Sequence, residues 1–367
     1  MQLPNLTKLF ILCTLCVTIM QIEGQQQVPC LFFMGDSQID NGNNNPLMTV
    51  IKANYLPYGG DYPDGPTGRF GSGRILSDFL AEFLGFDKPI PPFATANGPE
   101  IIKGVNYASA SAGILDDTAK TTVIEQFNFS GDRISLNRQL YNHGTTVSKI
   151  AFFLGNATLH RDHLKKCLYI VNMGSNDYLN NYFQPQSYTT STLYTPDEFA
   201  AILSKQYSQQ LRTLYSYGAR KIVVYGVGLL GCLPGVTKSP NANRSSNCIE
   251  PINDIAQPFN NRLKQLINTL NQDLSDAQFI LINTSSISRI DPSSLGIKVD
   301  NAPCCMVSEL TGLCEVGKEP CTNRDEYTFW DDYHPSEIFT RATAARAYNA
   351  ALPTDAYPFD IRHLVQL

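Results

Sequence analysis

The sequence predicts an α/β fold: a mostly parallel sheet covered by helices on both faces. Two observations carry this. Four short apolar runs read as buried strands, at 30–34 (CLFFM), 168–173 (LYIVNM), 221–225 (KIVVY) and 279–282 (FILI), each bounded by Gly, Asn or charge. Longer amphipathic stretches lie between them, and strand–helix alternation is the pattern of a parallel sheet with helical cover. The clearest helix spans 253–275, where Ile255, Phe259, Leu263, Leu266, Ile267, Leu270 and Leu274 step by three and four along one face. Segments 75–84 and 199–215 have similar spacing, and 105–108 reads as a fifth strand. Reactive groups in such folds gather at the carboxyl ends of the strands, and three of the predicted strands run directly into polar loops.

With 43% hydrophobic and 17% charged residues, the composition is that of a globular chain rather than a disordered one. No repeat or long linker divides it, so 25–367 is expected to form a single domain. Residues 1–24 read as a signal peptide: Lys8 supplies positive charge, and the apolar run 9–20 (LFILCTLCVTIM) suits a signal core and is short for a bilayer span. Cleavage is expected near Gly24, and no transmembrane anchor is expected.

Export changes how the cysteines are read. Cys13 and Cys16 leave with the signal, and Cys30, Cys167, Cys232, Cys248, Cys304, Cys305, Cys314 and Cys321 remain, an even number suited to disulfides. The last four could instead hold zinc, but export and the lack of a nearby spare histidine favour disulfides; no metal is expected. Sequons at Asn128, Asn156, Asn243 and Asn283 fit glycosylation of an exported chain. The net charge of −5 comes without a basic block, which argues against nucleic acid as a partner.

Ser37 follows the first predicted strand directly, in Gly35-Asp36-Ser37. A lone loop serine is commonly a turn residue, and a serine hydroxyl is a weak nucleophile until a base removes its proton. His334 is the histidine with suitable company, in the stretch WDDYHP (330–335). Asp331 precedes it by three residues, a spacing that lets a carboxylate reach the imidazole and fix its tautomer. Asp332 competes for that role, but its side chain is expected to point elsewhere; the alternative for Asp331 is a helix cap beside an exposed histidine. His160 and His163 sit in HRDHLKK, read as a solvated helix face.

Ester cleavage also needs donors for an oxyanion. Asn176 follows the second strand in GSND, where it reads either as such a donor or as an ordinary turn residue. The backbone N–H of Ser37 is a second candidate, and a third comes from the loop GVNYASASAG, beginning at Gly104. No G-x-S-x-G elbow occurs, and acid and base are near neighbours, which speaks against an α/β-hydrolase.

In order and spacing, the blocks FMGDSQIDNGNNN (33–45), PYGGDYPDGPTGRFGSGR (57–74), GVNYASASAGIL (104–115), VNMGSNDY (171–178), GVGLLGCLPG (226–235) and WDDYHPSE (330–337) resemble the GDSL esterase/lipases, a branch of the SGNH hydrolases, and the plant subfamily in particular. The resemblance covers nearly the whole mature chain. It implies a three-layer α/β/α, flavodoxin-like fold and a secreted, extracellular enzyme that hydrolyses carboxylic esters. Ser37 would be nucleophile, His334 general base and Asp331 its orienting partner, with Ser37, Gly104 and Asn176 forming the oxyanion hole. No cofactor is implied. The substrate would be a small or polymeric ester: a lipid, cuticle or cell-wall ester. An acyltransferase using the same triad and a silent ester- or glycan-binding protein are the alternatives. The chain departs from the family at 108–113, reading ASASAG where members often have ASGGAG.

Overall fold

The computed structural model describes residues 26–120, 131–238 and 247–367. The expected signal peptide and the sequons at Asn128 and Asn243 lie outside the described residues.

Four strands, β1 (Leu31–Gly35), β2 (Leu168–Asn172), β3 (Lys221–Tyr225) and β4 (Gln278–Ile282), run parallel in that order. Two further strands, β5 (Val299–Pro303) and β6 (Tyr327–Phe329), make a small separate sheet. Strand β7 (Ala356–Tyr357) closes the main sheet, antiparallel to β4.

Side chains alternate across a pleated strand, so each apolar run feeds two layers. Phe32, Met34, Tyr169, Val171, Ile222, Val224, Phe279 and Leu281 face one core. There they meet helices α2 (Leu136–Leu154), α3 (Ala157–Lys166), α4 (Pro196–Ser216) and α5 (Glu250–Asp273). Leu31, Phe33, Leu168, Ile170, Val223, Ile280 and Ile282 face the other, against α1 (Leu76–Phe83), α6 (Glu337–Tyr348) and α7 (Ile361–Gln366). The result is the three-layer α/β/α sandwich.

Helix ends follow local chemistry. Pro196 opens α4, where the Thr195 hydroxyl accepts from Glu198 N while the Glu198 carboxylate accepts from Thr195 N at 2.9 Å. Helix α5 starts three residues before the predicted 253 because Pro251 suits a first turn, a signal that apolar spacing does not register. Its Asn271 side chain exchanges two hydrogen bonds with the Phe279 backbone, clamping helix to β4.

The expected strand at 105–108 is not a strand of the sheet. It runs beside β1, with Phe33 N donating to Val105 O, Tyr107 N to Phe33 O and Ser109 N to Gly35 O at 2.8–3.1 Å. This segment covers the outer edge of β1 and carries the following loop towards Ser37. The reading of His160 and His163 as solvated also needs correction: both are half-buried, and the His163 ring lies 2.9 Å from Ile102 O.

The eight cysteines among the described residues are all paired, as Cys30–Cys167, Cys232–Cys248, Cys304–Cys321 and Cys305–Cys314. The last two pairs nest within one hairpin and pack with Tyr58, Phe70 and Trp330 into a third, smaller core. Among the described residues, no helix is long and apolar enough to cross a membrane.

Leu270 is fully buried on α5, whereas Gln272 on the same turn is exposed. Leu270→Ala should cost about 2–5 kcal/mol in denaturant unfolding, and Gln272→Ala less than about 0.5 kcal/mol.

Candidate active site

The carboxyl ends of β1 and β2 deliver the two strand-borne groups: Ser37 lies two residues past β1, and Asn176 in the turn after β2. Asp331 and His334 come from the segment after β6, folded on itself by a Trp330 N to His334 O bond of 2.8 Å. Ser37 Oγ is 2.7 Å from His334 Nε2, and His334 Nδ1 is 2.7 Å from Asp331 Oδ2. Hydroxyl, imidazole and carboxylate thus form one continuous hydrogen-bonded line, although 297 residues separate serine from histidine.

The surroundings of Asp331 explain its orientation. It is fully buried. Its Oδ1 accepts from the N–H groups of Tyr333 and His334, both at 2.8 Å. Its Oδ2 accepts from the Tyr58 hydroxyl at 2.6 Å, and that hydroxyl in turn accepts from Cys314 N at 3.0 Å. Burial, with Asp331 alongside, raises the Tyr58 hydroxyl well above its usual range, so it stays protonated and donates. Asp332 points away and pairs with Lys238. The Phe70 ring packs 4.9 Å from the His334 ring.

The run after Ser37 is a rack of buried amides and carboxylates. Asp40 Oδ1 accepts from Gly42 N and Asn43 N, and its Oδ2 from Ala110 N, at 2.8–3.0 Å. Asn43 Nδ2 donates to Asn106 O and Ala108 O, and Asn106 Nδ2 to Ile39 O. These bonds lock the Ser37 loop to the loop at 104–115.

Asn176 lines the same cavity as Ser37; its Nδ2 gives one hydrogen to Ala112 O at 3.0 Å and its Oδ1 accepts from Asn180. A second hydrogen on that nitrogen is left for a ligand. Gly104 is not part of this constellation. It packs against Leu31, at the start of β1 and hence the far end of the strand from Ser37, and its N–H is held by Ile101 O. Within that loop it is Ser111 that reaches the cavity, at φ 63°, with no hydrogen bond from its N–H among the described residues. A left-handed backbone of this kind suits glycine, and this chain carries serine there.

Tyr58 and Ser111 were therefore missed at the sequence level, because neither contact is encoded in local spacing. The sequon Asn156 is exposed and caps α3, its Oδ1 accepting from Thr158 N and Leu159 N. Asn283 is half-buried and donates to Thr354 O.

Three carboxyls near the site lose water on burial. Asp36, Asp40 and Asp177 are each raised from 3.8 to about 6, chiefly by desolvation. A carboxyl raised in this way adds stability that is fully present below 3.8 and lost as pH rises through about 6. His143, lowered by burial from 6.5 to about 3, acts in the opposite sense, and one imidazole offsets only part of three carboxyls. Thermal unfolding should therefore show a higher Tm at pH 5 than at pH 7; a lower one would contradict the burial of these groups. In a second measurement, Gly104→Ala should destabilise by about 2–5 kcal/mol, since a Cβ there would meet Leu31 O at 1.9 Å in a backbone of φ 131°.

Residues 31–347 match the family of GDSL-like lipases and acylhydrolases. Three Arabidopsis thaliana proteins are similar along almost their whole length. GDSL esterase/lipase At1g29670 is 44% identical over 355 residues, covering 95% of both chains. GDSL esterase/lipase At1g29660 is 45% identical over 352 residues, covering 95% of this chain and 94% of the relative. GDSL esterase/lipase At5g45670 is 40% identical over 371 residues and 100% of both. With this extent of match, and with the serine of the first block hydrogen-bonded to the histidine of the last, the chain belongs to the GDSL-like lipase/acylhydrolase family.

Proposed function

We propose that the protein is a secreted serine hydrolase that cleaves carboxylic esters through an acyl-enzyme on Ser37. The observation that carries this is the Ser37–His334–Asp331 line, with 2.7 Å at each junction. In the first half-reaction His334 Nε2 takes the Ser37 proton as Oγ bonds to the ester carbonyl carbon. The oxyanion is held by Asn176 Nδ2 and by the N–H groups of Ser37 and Ser111. The C–O bond to the alcohol then breaks, and His334 hands its proton to the departing oxygen. In the second half-reaction His334 takes a proton from water, whose oxygen attacks the acyl carbon. Ser37 regains its proton and a carboxylic acid is released.

A cavity of about 600 Å³ opens at Ser37 and His334, and leucine and isoleucine side chains form much of its wall. That size accommodates an ester with both its acyl and alcohol parts. This reading takes 1–24 as a signal peptide, 25–367 as one domain, and Asn128, Asn156, Asn243 and Asn283 as glycosylation sites. Four disulfides suit an oxidising compartment.

The test is hydrolysis of p-nitrophenyl esters with acyl chains of graded length by secreted protein. Ser37→Ala should lower kcat by roughly 10⁴-fold or more. Equal turnover by wild type and Ser37→Ala would refute the assignment. Tyr58→Phe should lower kcat by about 10-fold while leaving KM near wild type, because it removes a bond to Asp331 without touching the cavity.

A further inference from the structure

Two fully buried side chains outside the triad hold the backbone on either side of the reacting serine. One is Gln139, on α2; the other is Asp177, the residue after Asn176.

Gln139 acts where the edge of β1 changes partner. Along that edge Phe33 N donates to Val105 O, and Tyr107 N to Phe33 O. The next bond of a parallel ladder would run from Gly35 N to Tyr107 O. Gly35 N instead donates to Gln139 Oε1 at 2.8 Å. Gln139 Nε2 returns a hydrogen to Gly35 O and gives its other to Ile134 O, both at 2.8 Å. A carboxamide carries an acceptor and two donor hydrogens, so one side chain completes all three bonds. It ends the ladder two residues before Ser37 and frees the chain beyond Ser109 to reach the cavity at Ser111.

Asp177 acts on that same chain further along. Its Oδ2 accepts from Ile114 N at 2.8 Å, and its Oδ1 from Leu115 N at 3.0 Å and from the Thr118 hydroxyl at 2.6 Å. Gly113 sits so close that a Cβ there would lie 2.7 Å from Asp177 Oδ1. Asn176, its neighbour, grips the loop at Ala112 O. Two consecutive residues of the turn after β2 thus hold the segment that follows Ser111.

We propose that Gln139 and Asp177 are positioning residues that set the spacing of the Ser37, Ser111 and Asn176 donors around the oxyanion. This deepens, and rests on, the esterase reading above. Neither side chain touches the ester. Each works through backbone groups whose placement matters on a sub-ångström scale, because a donor aimed at developing charge loses its effect when displaced.

The experiment uses Gln139→Met, Gln139→Glu and Asp177→Asn, each close in volume to the residue it replaces. Methionine removes all three bonds, and glutamate keeps an acceptor for Gly35 N but cannot donate to Gly35 O. Asparagine leaves one oxygen where the carboxylate had two. Rates are measured on p-nitrophenyl butyrate at pH 8, where a carboxyl raised to about 6 is ionised. Active sites are counted by covalent labelling of Ser37 with a fluorophosphonate, so misfolded protein drops out of the rate. Each variant should lose roughly 10- to 100-fold in kcat per labelled site, with KM within about 3-fold of wild type. Pentyl trifluoromethyl ketone, which forms an oxyanion when Ser37 adds to it, should bind more weakly by the same factor as the loss in kcat/KM. A merely structural role would lower the number of labelled sites and leave kcat per site and ketone affinity unchanged; that result overturns the proposal. If wild type shows Ser37-dependent hydrolysis while the variants match it site for site, the positioning role alone is wrong. If wild type has no Ser37-dependent hydrolysis, the esterase reading is wrong and the positioning role falls with it.

Discussion

The buried carboxylate of Asp331 is the constraint on which the rest of the site depends. A fully buried charge is tolerated only where hydrogen bonds replace its water. Here the replacements come from its own turn, from Tyr58 and from the His334 ring. Tyr58 is fixed in turn by Cys314 N, and Cys314 by its disulfide to Cys305. The nested disulfide hairpin thus anchors the acid of the triad, and its small core of Tyr58, Phe70 and Trp330 shields the imidazole's partner from solvent.

A second framework positions the serine. Parallel strands end together, so loops from β1 and β2 converge at one edge of the sheet. Convergence alone leaves loops free to shift by more than proton transfer tolerates. The Asp40, Asn43 and Asn106 side chains remove that freedom by bonding one loop's backbone to the other. The polar run NGNNN, which looks like a solvated loop in one dimension, is an internal scaffold in three.

The two sides of the cavity then divide the chemistry. Ser37, Ser111 and Asn176 sit on the β1–β2 side, and the His334 imidazole comes from the side of β6 and α6.

Much of this was legible in the sequence. Uninterrupted apolar runs announced strands buried on both faces, and helical spacing announced their cover. Asp331 and His334 were readable because they are three residues apart, and Ser37 and Asn176 because each follows a strand. What local pattern cannot hold is contact between distant segments. Gly104 was chosen for its residue type, yet the strand pairing of its loop carries it to the wrong end of β1 and leaves Ser111 at the cavity. The segment 105–108 has strand composition but lies along an edge instead of joining the sheet. Tyr58 reaches Asp331 across 273 residues. The sequence by itself determined the layers, the Asp331–His334 pair and the family, since these depend on periodicity, short spacing and ordered motifs. Tertiary structure alone decided which loop residue reaches the cavity and what lines it, because those depend on where packed elements bring side chains that the chain keeps far apart.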